Sequence, residues 1–272
     1  MQNKFSLFKL SAFNFVLISV LVWFSCQVSA HHESALTHYE QLMVKKAISF
    51  EESLHSQTRI DYISSLFLNT PYQANRLIGS PQIDETLVID FRALDCFTYI
   101  DYVESLRRAS SRQEFELLLP EVRYQNGNID FLSRNHFFVD WKNNNRDIVD
   151  VTSIVTDNSV SVDKTLNLKS DGHAFIETLP ARDARIRYIP QSNVSQSVLD
   201  QLKTGDYIGI YTPIEGLDVT HVGIFIRNNE GEFLRHASSK SSVLKVVDSP
   251  FMAYIKNRPG IMVYRIDKPL AN

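Results

Sequence analysis

Thr220-His221-Val222-Gly223-Ile224-Phe225-Ile226-Arg227-Asn228-Asn229-Glu230-Gly231-Glu232-Phe233-Leu234-Arg235-His236-Ala237-Ser238 is the stretch whose reading decides the fold. Asn228-Asn229-Glu230-Gly231 has turn composition and separates two runs with strand composition, which predicts a hairpin. His221 opens the first strand and His236 ends the second. The hairpin sets the two imidazoles near one another on one face. Gly223 shares the face of His221 and leaves room for close approach across the sheet.

Working outward, the last third also predicts strands over 206–211 and 261–265. Earlier strand-like pieces fall at 87–91, 148–155 and 184–189. Residues 31–80 carry helical spacing, with Leu36, Tyr39, Leu42, Met43 and Ile48 as apolar positions. From 96 to 109 the apolar positions are Phe97, Ile100, Val103 and Leu106, again a helix, with Asp95 where an N-cap belongs. Residues 120–200 read as irregular, with a turn at Tyr124-Gln125-Asn126-Gly127-Asn128 and an aromatic patch from 136 to 141. Helices come first and an antiparallel sheet follows, which is the order of an α+β fold.

The 272 residues carry 28 basic and 31 acidic side chains, with 44% hydrophobic residues, an ordinary globular composition. In the first thirty, Lys4 and Lys9 are the only charges, an apolar stretch follows, and Val28-Ser29-Ala30 precedes His31. That order predicts a cleaved signal peptide over 1–30, with one catalytic domain over 31–272 in the periplasm or outside the cell. An N-terminal anchor and a lipid-modified Cys26 are the alternatives. Removing Lys4 and Lys9 leaves 26 basic residues against 31 acidic ones. A mildly acidic chain lacks the electrostatic footprint for nucleic acid or an anionic membrane.

Only Cys26 and Cys96 are cysteines. Once the leader is gone, Cys96 stands alone, and no disulfide can form within the chain. As the first residue of its helix, its sulfur faces unpaired backbone N–H groups, which favour a thiolate and can hold an oxyanion. A thiol hydrolase also needs a base and a group that orients the base; His221 and His236 fit those roles. No HExxH helix and no CxxC pair argues for a metal, and no cofactor is expected.

The segments Asp95-Cys96-x-Thr98-Tyr99, Thr204-Gly205-Asp206-Tyr207, Thr220-His221-Val222-Gly223-Ile224 and Arg235-His236-Ala237-Ser238 resemble those of NlpC-type cell-wall cysteine peptidases. Ser133-Arg134-Asn135-His136-Phe137-Phe138-Val139-Asp140-Trp141 and Arg123-Tyr124-x-x-Gly127 resemble the N-acetylmuramoyl-L-alanine amidase-like branch. The resemblance implies a permuted papain-like core over 87–272, with the nucleophile's helix packed on an antiparallel sheet and residues 31–80 as an N-terminal helical part. It implies a triad of Cys96, His221 and His236 that cleaves the bond between N-acetylmuramic acid and L-alanine of the stem peptide, with peptidoglycan or a muropeptide as substrate; a monomer is expected. Arg134, Phe137 and Trp141 are candidates for binding substrate, with an Arg134–Asp140 pair and a core role for the rings as the structural alternative. The rival activities are cleavage between D-glutamate and the diamino acid by the same triad, non-catalytic wall binding, and acyl transfer to an amine.

Overall fold

In the computed structural model, residues 36–50 and 56–267 are described; the signal-peptide expectation and Cys26 lie outside them. Thr37 and Glu40 form a capping box that starts helix α1 (His38–Ile48). Its buried face is Glu40, Met43, Val44 and Ala47, a helical i, i+3, i+4, i+7 stripe. Tyr39 and Leu42, expected on the apolar face, are exposed. Helix α2 (Ser56–Ser65) follows, and then a small antiparallel ribbon of β1 (Ile78–Ser80) and β2 (Ile83–Thr86).

Residues 87–91 do not form the expected strand. Side chains take the backbone groups a ladder would use: Asp90 N–H donates to Tyr102 Oη at 3.0 Å, and Phe91 N–H to Glu40 Oε1 at 3.2 Å. Arg123 and Tyr102 both donate to the Val88 carbonyl. With its donors and acceptors satisfied in this way, the extended segment needs no partner strand.

Helix α3 (Cys96–Arg108) keeps the expected span and is buried along most of its length. Beyond it the irregular middle is more ordered than its composition indicates. Helix α4 (Arg112–Arg123) is capped by Ser111, and α5 (Phe138–Asn144) carries the aromatic patch. Strand β3 (Ile148–Asp150) stops early, and Thr152–Val155 becomes a short helix, α6. The Asp150 carboxylate accepts from Thr152 N–H at 2.9 Å and turns the chain out of the sheet. Strands β4 (Val160–Leu166) and β5 (Arg182–Pro190) pair in full register, and α7 (Gln196–Gln201) leads to the final strands.

These are β6 (Tyr207–Tyr211), β7 (Val219–Asn228), β8 (Gly231–Ser238) and β9 (Lys245–Pro250), then helix α8 (Phe251–Ile255) and β10 (Gly260–Ile266). Among the described residues, eight strands form one antiparallel sheet in the order β4-β5-β10-β6-β7-β8-β9, with β3 also on β10. The fold is therefore mixed α+β, with two apolar layers on the sheet. Val222, Ile224 and Ile226 of β7 join the layer of α1, α3 and α4, while Phe225 joins the layer of α7 and α8. Alternation along the strand produces this split. No described helix is long and apolar enough to cross a membrane.

The motif turn before β6 has a clear physical reason. Gly205 has φ +96°, and a Cβ there would meet Ile60 Cγ2 at 2.5 Å, so only glycine lets the turn press on α2. Asp206 accepts from Lys203 N–H at 2.8 Å and takes two bonds of 2.7 Å from Arg265 on β10. This fixes the start of β6 and, through it, the register of β7.

Candidate active site

The loop into α3 is tied down before Cys96 is reached. Leu94 N–H donates to Pro71 O, and Gln73 N–H to Leu94 O, each at 2.9 Å; Tyr72 N–H donates to Leu244 O, also at 2.9 Å. Asp95 then caps the helix, accepting from Thr98 N–H at 2.8 Å, while its own N–H donates to Thr98 Oγ1 at 2.9 Å. The capping box leaves Cys96 as the first helical residue, half-buried and reduced.

The opposite wall comes from β7 and β8. Their register, Ile224 against Arg235 through Asn228 against Gly231, carries the hairpin of the sequence reading. His221 Nε2 and His236 Nδ1 are hydrogen-bonded at 2.7 Å, with the rings perpendicular. At Gly223, a Cβ would lie 2.9 Å from Arg235 O and 3.0 Å from His236 Cβ. The glycine thus permits the close approach that brings the imidazoles together. Beneath β8, buried Arg235 donates to Asp248 on β9 at 2.8 and 2.9 Å and to Asp61 on α2 at 2.8 Å. This pins the strand that carries His236.

Two further groups meet this pair without a sequence signal. Ser249 Oγ lies 3.0 Å from His236 Nε2. Tyr254, on α8, sets its ring 4.7 Å from that of His236 and 6.2 Å from that of His221. Tyr254 and Tyr72 both lie within electrostatic range of Cys96. Arg258 stands over the Tyr254 ring, 5.3 Å from Cζ to the centroid. A lone serine in a short strand and a tyrosine on a five-residue helix have no motif; only β8–β9 pairing and the packing of α8 reveal them.

The electrostatics correct one expectation. Burial, reinforced by the Asp95 carboxylate, pushes the Cys96 thiol up to about 12. Backbone N–H groups of Val222, Cys96 and Phe97 favour its anion but are outweighed. Burial, aided by the charges of His236 and Arg258, pulls His221 down to about 3. Burial pulls His236 down to about 4, with Asp248 opposing and Arg258 assisting. Burial thus works against the thiolate that the helix N-terminus favours, and against protonation of either imidazole.

The proposed substrate residues lie elsewhere in the packing. Trp141 is wholly buried, donating from Nε1 to Asp101 Oδ1 at 3.0 Å and packing edge-on against Tyr207. Phe137 is 3% exposed and belongs to the core. Their burial leaves them no face for a ligand, so the ring-filled-core alternative describes them. Arg134 pairs with Glu85 of β2, not with Asp140, which instead pairs with Arg182. The chain reversal at 78–86 brings Glu85 in, which spacing along the sequence does not reveal. Among the described residues, no group of three or more His, Cys, Asp or Glu is arranged to hold a metal ion.

Fold and site define a mixed α+β protein with a thiol at a helix N-terminus and two hydrogen-bonded imidazoles on an antiparallel sheet. The chain belongs to the AmiA-like, N-acetylmuramoyl-L-alanine amidase-like family, whose model matches residues 62–261. A solved structure from Legionella pneumophila, of the DUF1460 family, is similar at 24% identity and a TM-score of 0.72, covering 84% of this chain and 95% of its own. An N-acetylmuramoyl-L-alanine amidase from Bacteroides uniformis is similar at 27% identity and a TM-score of 0.62, covering 75% of this chain and 97% of its own. A second structure of that name from the same organism matches at 26% identity and a TM-score of 0.62, covering 84% and 100%. Comparison with curated proteins yields no match.

Proposed function

We propose that this chain is an exported cysteine hydrolase that cleaves the amide between N-acetylmuramic acid and L-alanine of peptidoglycan. Cys96 is the nucleophile, His221 its base and His236 the group that orients the base, on a permuted papain-like core of the NlpC type. The 2.7 Å bond between His221 Nε2 and His236 Nδ1 carries this reading. It occupies the imidazole edge of His221 away from its Nδ1, and the next residue, Val222, directs its N–H at the Cys96 sulfur. Family membership supports the amide and the wall substrate. The leader over 1–30, the single catalytic domain over 31–272, the periplasmic or secreted location and the monomeric state are parts of the same reading.

Assigning the His tautomers gives the relay a direction. With His221 Nδ1 free to accept, its Nε2–H donates to His236 Nδ1, and His236 Nε2–H donates to Ser249 Oγ. Proton transfer from neutral Cys96 to His221 accompanies attack on the lactyl carbonyl, because burial disfavours a standing ion pair. The N–H groups of Cys96 and Phe97 open the helix and hold the oxyanion. His221 then protonates the leaving L-alanine amine and activates water against the thioester.

The test is mass spectrometry of a defined muropeptide digested by wild type and by Cys96→Ala. Intact stem peptide released only by wild type is the expected result. A shortened glycopeptide would instead identify the cut between D-glutamate and the diamino acid. Equal release by both proteins would end the thiol mechanism.

A further inference from the structure

The turn between α8 and β10 carries Arg258 on a fixed backbone. Arg258 N–H donates to Ile255 O at 2.9 Å, and Gln191 N–H donates to Pro259 O at 3.1 Å. At Gly260 a Cβ would lie 2.4 Å from Ile189 O, so the chain presses on β5 directly after the turn. The Arg258 side chain is nonetheless exposed. Its Cζ stands 5.3 Å from the centroid of the Tyr254 ring, and that ring lies 4.7 Å from the ring of His236. One aromatic ring separates the guanidinium from the imidazoles.

What Arg258 lacks is a carboxylate. Arg76 and Arg92 are held by Asp90, and Arg235 by Asp248 and Asp61. Among the described residues no acidic side chain pairs with Arg258; its partner is Tyr254. Left uncompensated, this charge works against the site, because it opposes protonation of both His221 and His236. The reaction proposed above nevertheless puts a proton on His221. A cation in this place makes chemical sense when an anion arrives with the substrate. The anion is recognised, and the opposition to His221 protonation is cancelled while the substrate is bound.

The muropeptide itself supplies such an anion. The first free carboxylate beyond the scissile amide is the α-carboxylate of D-glutamate, whose γ-carboxyl continues the chain. It lies two residues past the scissile carbonyl. Two extended residues span roughly 7 Å, the scale on which the Tyr254 ring sets Arg258 off from His221. A planar guanidinium presents paired N–H donors that match both carboxylate oxygens, and an aromatic face beneath it keeps the fork oriented.

We propose that Arg258 is a specificity-determining residue, seated on Tyr254, that binds the free α-carboxylate of the stem peptide's D-glutamate. The assignment rests on the muropeptide substrate proposed above, so turnover and binding are measured separately. Two defined muropeptides are used, identical except that this carboxyl is free in one and amidated in the other. Wild type should cleave the free acid at least tenfold better in kcat/KM, equivalent to about 1.4 kcal/mol. In Arg258→Ala and Arg258→Gln the two substrates should react within threefold of one another. Arg258→Lys, which keeps the charge, should retain part of the preference. A residue that merely held Tyr254 in place would lower both rates alike and leave their ratio intact. Calorimetric titration of Cys96→Ala with the same pair should show the same tenfold preference, lost in the Cys96→Ala, Arg258→Ala protein. Equal cleavage of the two muropeptides by wild type, or a preference that survives in Arg258→Ala, would overturn the assignment and leave the hydrolase reading standing. Preferential binding without cleavage would keep the role of Arg258 and remove the hydrolysis. Binding of neither muropeptide would overturn both.

Discussion

The two halves of α3 treat buried polar groups in opposite ways. Around Cys96 and the imidazoles, burial disfavours charge: it raises the pKa of the thiol and lowers those of both rings. Further along the helix, burial is met by pairing. Asp101 accepts from Arg123 Nε at 2.8 Å and from Trp141 Nε1, and Glu104 accepts from Arg107 and from Tyr207 Oη at 2.8 Å. A paired charge is fixed, because moving its proton would strand the partner. A neutral group with a displaced pKa can release or take a proton when a substrate arrives. One helix therefore carries paired, fixed charge at one end and a buried thiol at the other.

Substitutions at each end should separate these roles. His221→Ala should lower kcat for muropeptide cleavage by about 10²–10⁴-fold, the range for loss of a general base, with the melting temperature retained. Asp101→Ala should do the reverse. It leaves Arg123 buried without its carboxylate and should cost about 3–5 kcal/mol of stability in denaturant titration, with kcat per folded molecule kept. Lost activity at undiminished stability in Asp101→Ala would erase the distinction between the two ends.

The neutral imidazoles also predict a pH dependence. Their folded pKa values are depressed to about 3 and about 4, against about 6.5 in the unfolded chain. Their contribution to stability is thus fully present above about pH 6.5 and is lost as pH falls toward the folded values. The slope is about 1.4 kcal/mol per pH unit for each ring. Denaturant midpoints measured from pH 7 to pH 4.5 should fall less steeply in a His221→Gln, His236→Gln protein than in wild type. An identical slope would show that the rings are not held neutral. The smallest effect is expected at Ser249→Ala, which removes one neutral hydrogen bond, about 0.5–1.5 kcal/mol. It should appear as a several-fold fall in kcat at unchanged KM.

How much of this was legible in the sequence differs by segment. The helix that Cys96 opens, its Asp95 cap and the hairpin of β7 and β8 could all be read, because each is governed by neighbours a few residues apart. The 133–141 segment resembles a family motif, but its place in the molecule was not legible. Its aromatics carry the same composition whether they fill a core or line a cleft. Residues 87–91 misled for a related reason: a run of strand-like residues does not reveal that Tyr102, Glu40 and Arg123 will take its backbone groups.

By itself, the sequence determined the α+β class, the candidate nucleophile and base, and the glycine spacing that lets two imidazoles meet, since these are local patterns of shape and hydrogen bonding. Tertiary structure alone decided that Ser249 ends the imidazole chain, that Tyr254 covers it and that Arg134 belongs to Glu85. It also decided the direction in which the pKa of each site group moves, because desolvation depends on what surrounds a group in space, and distant segments supply those surroundings.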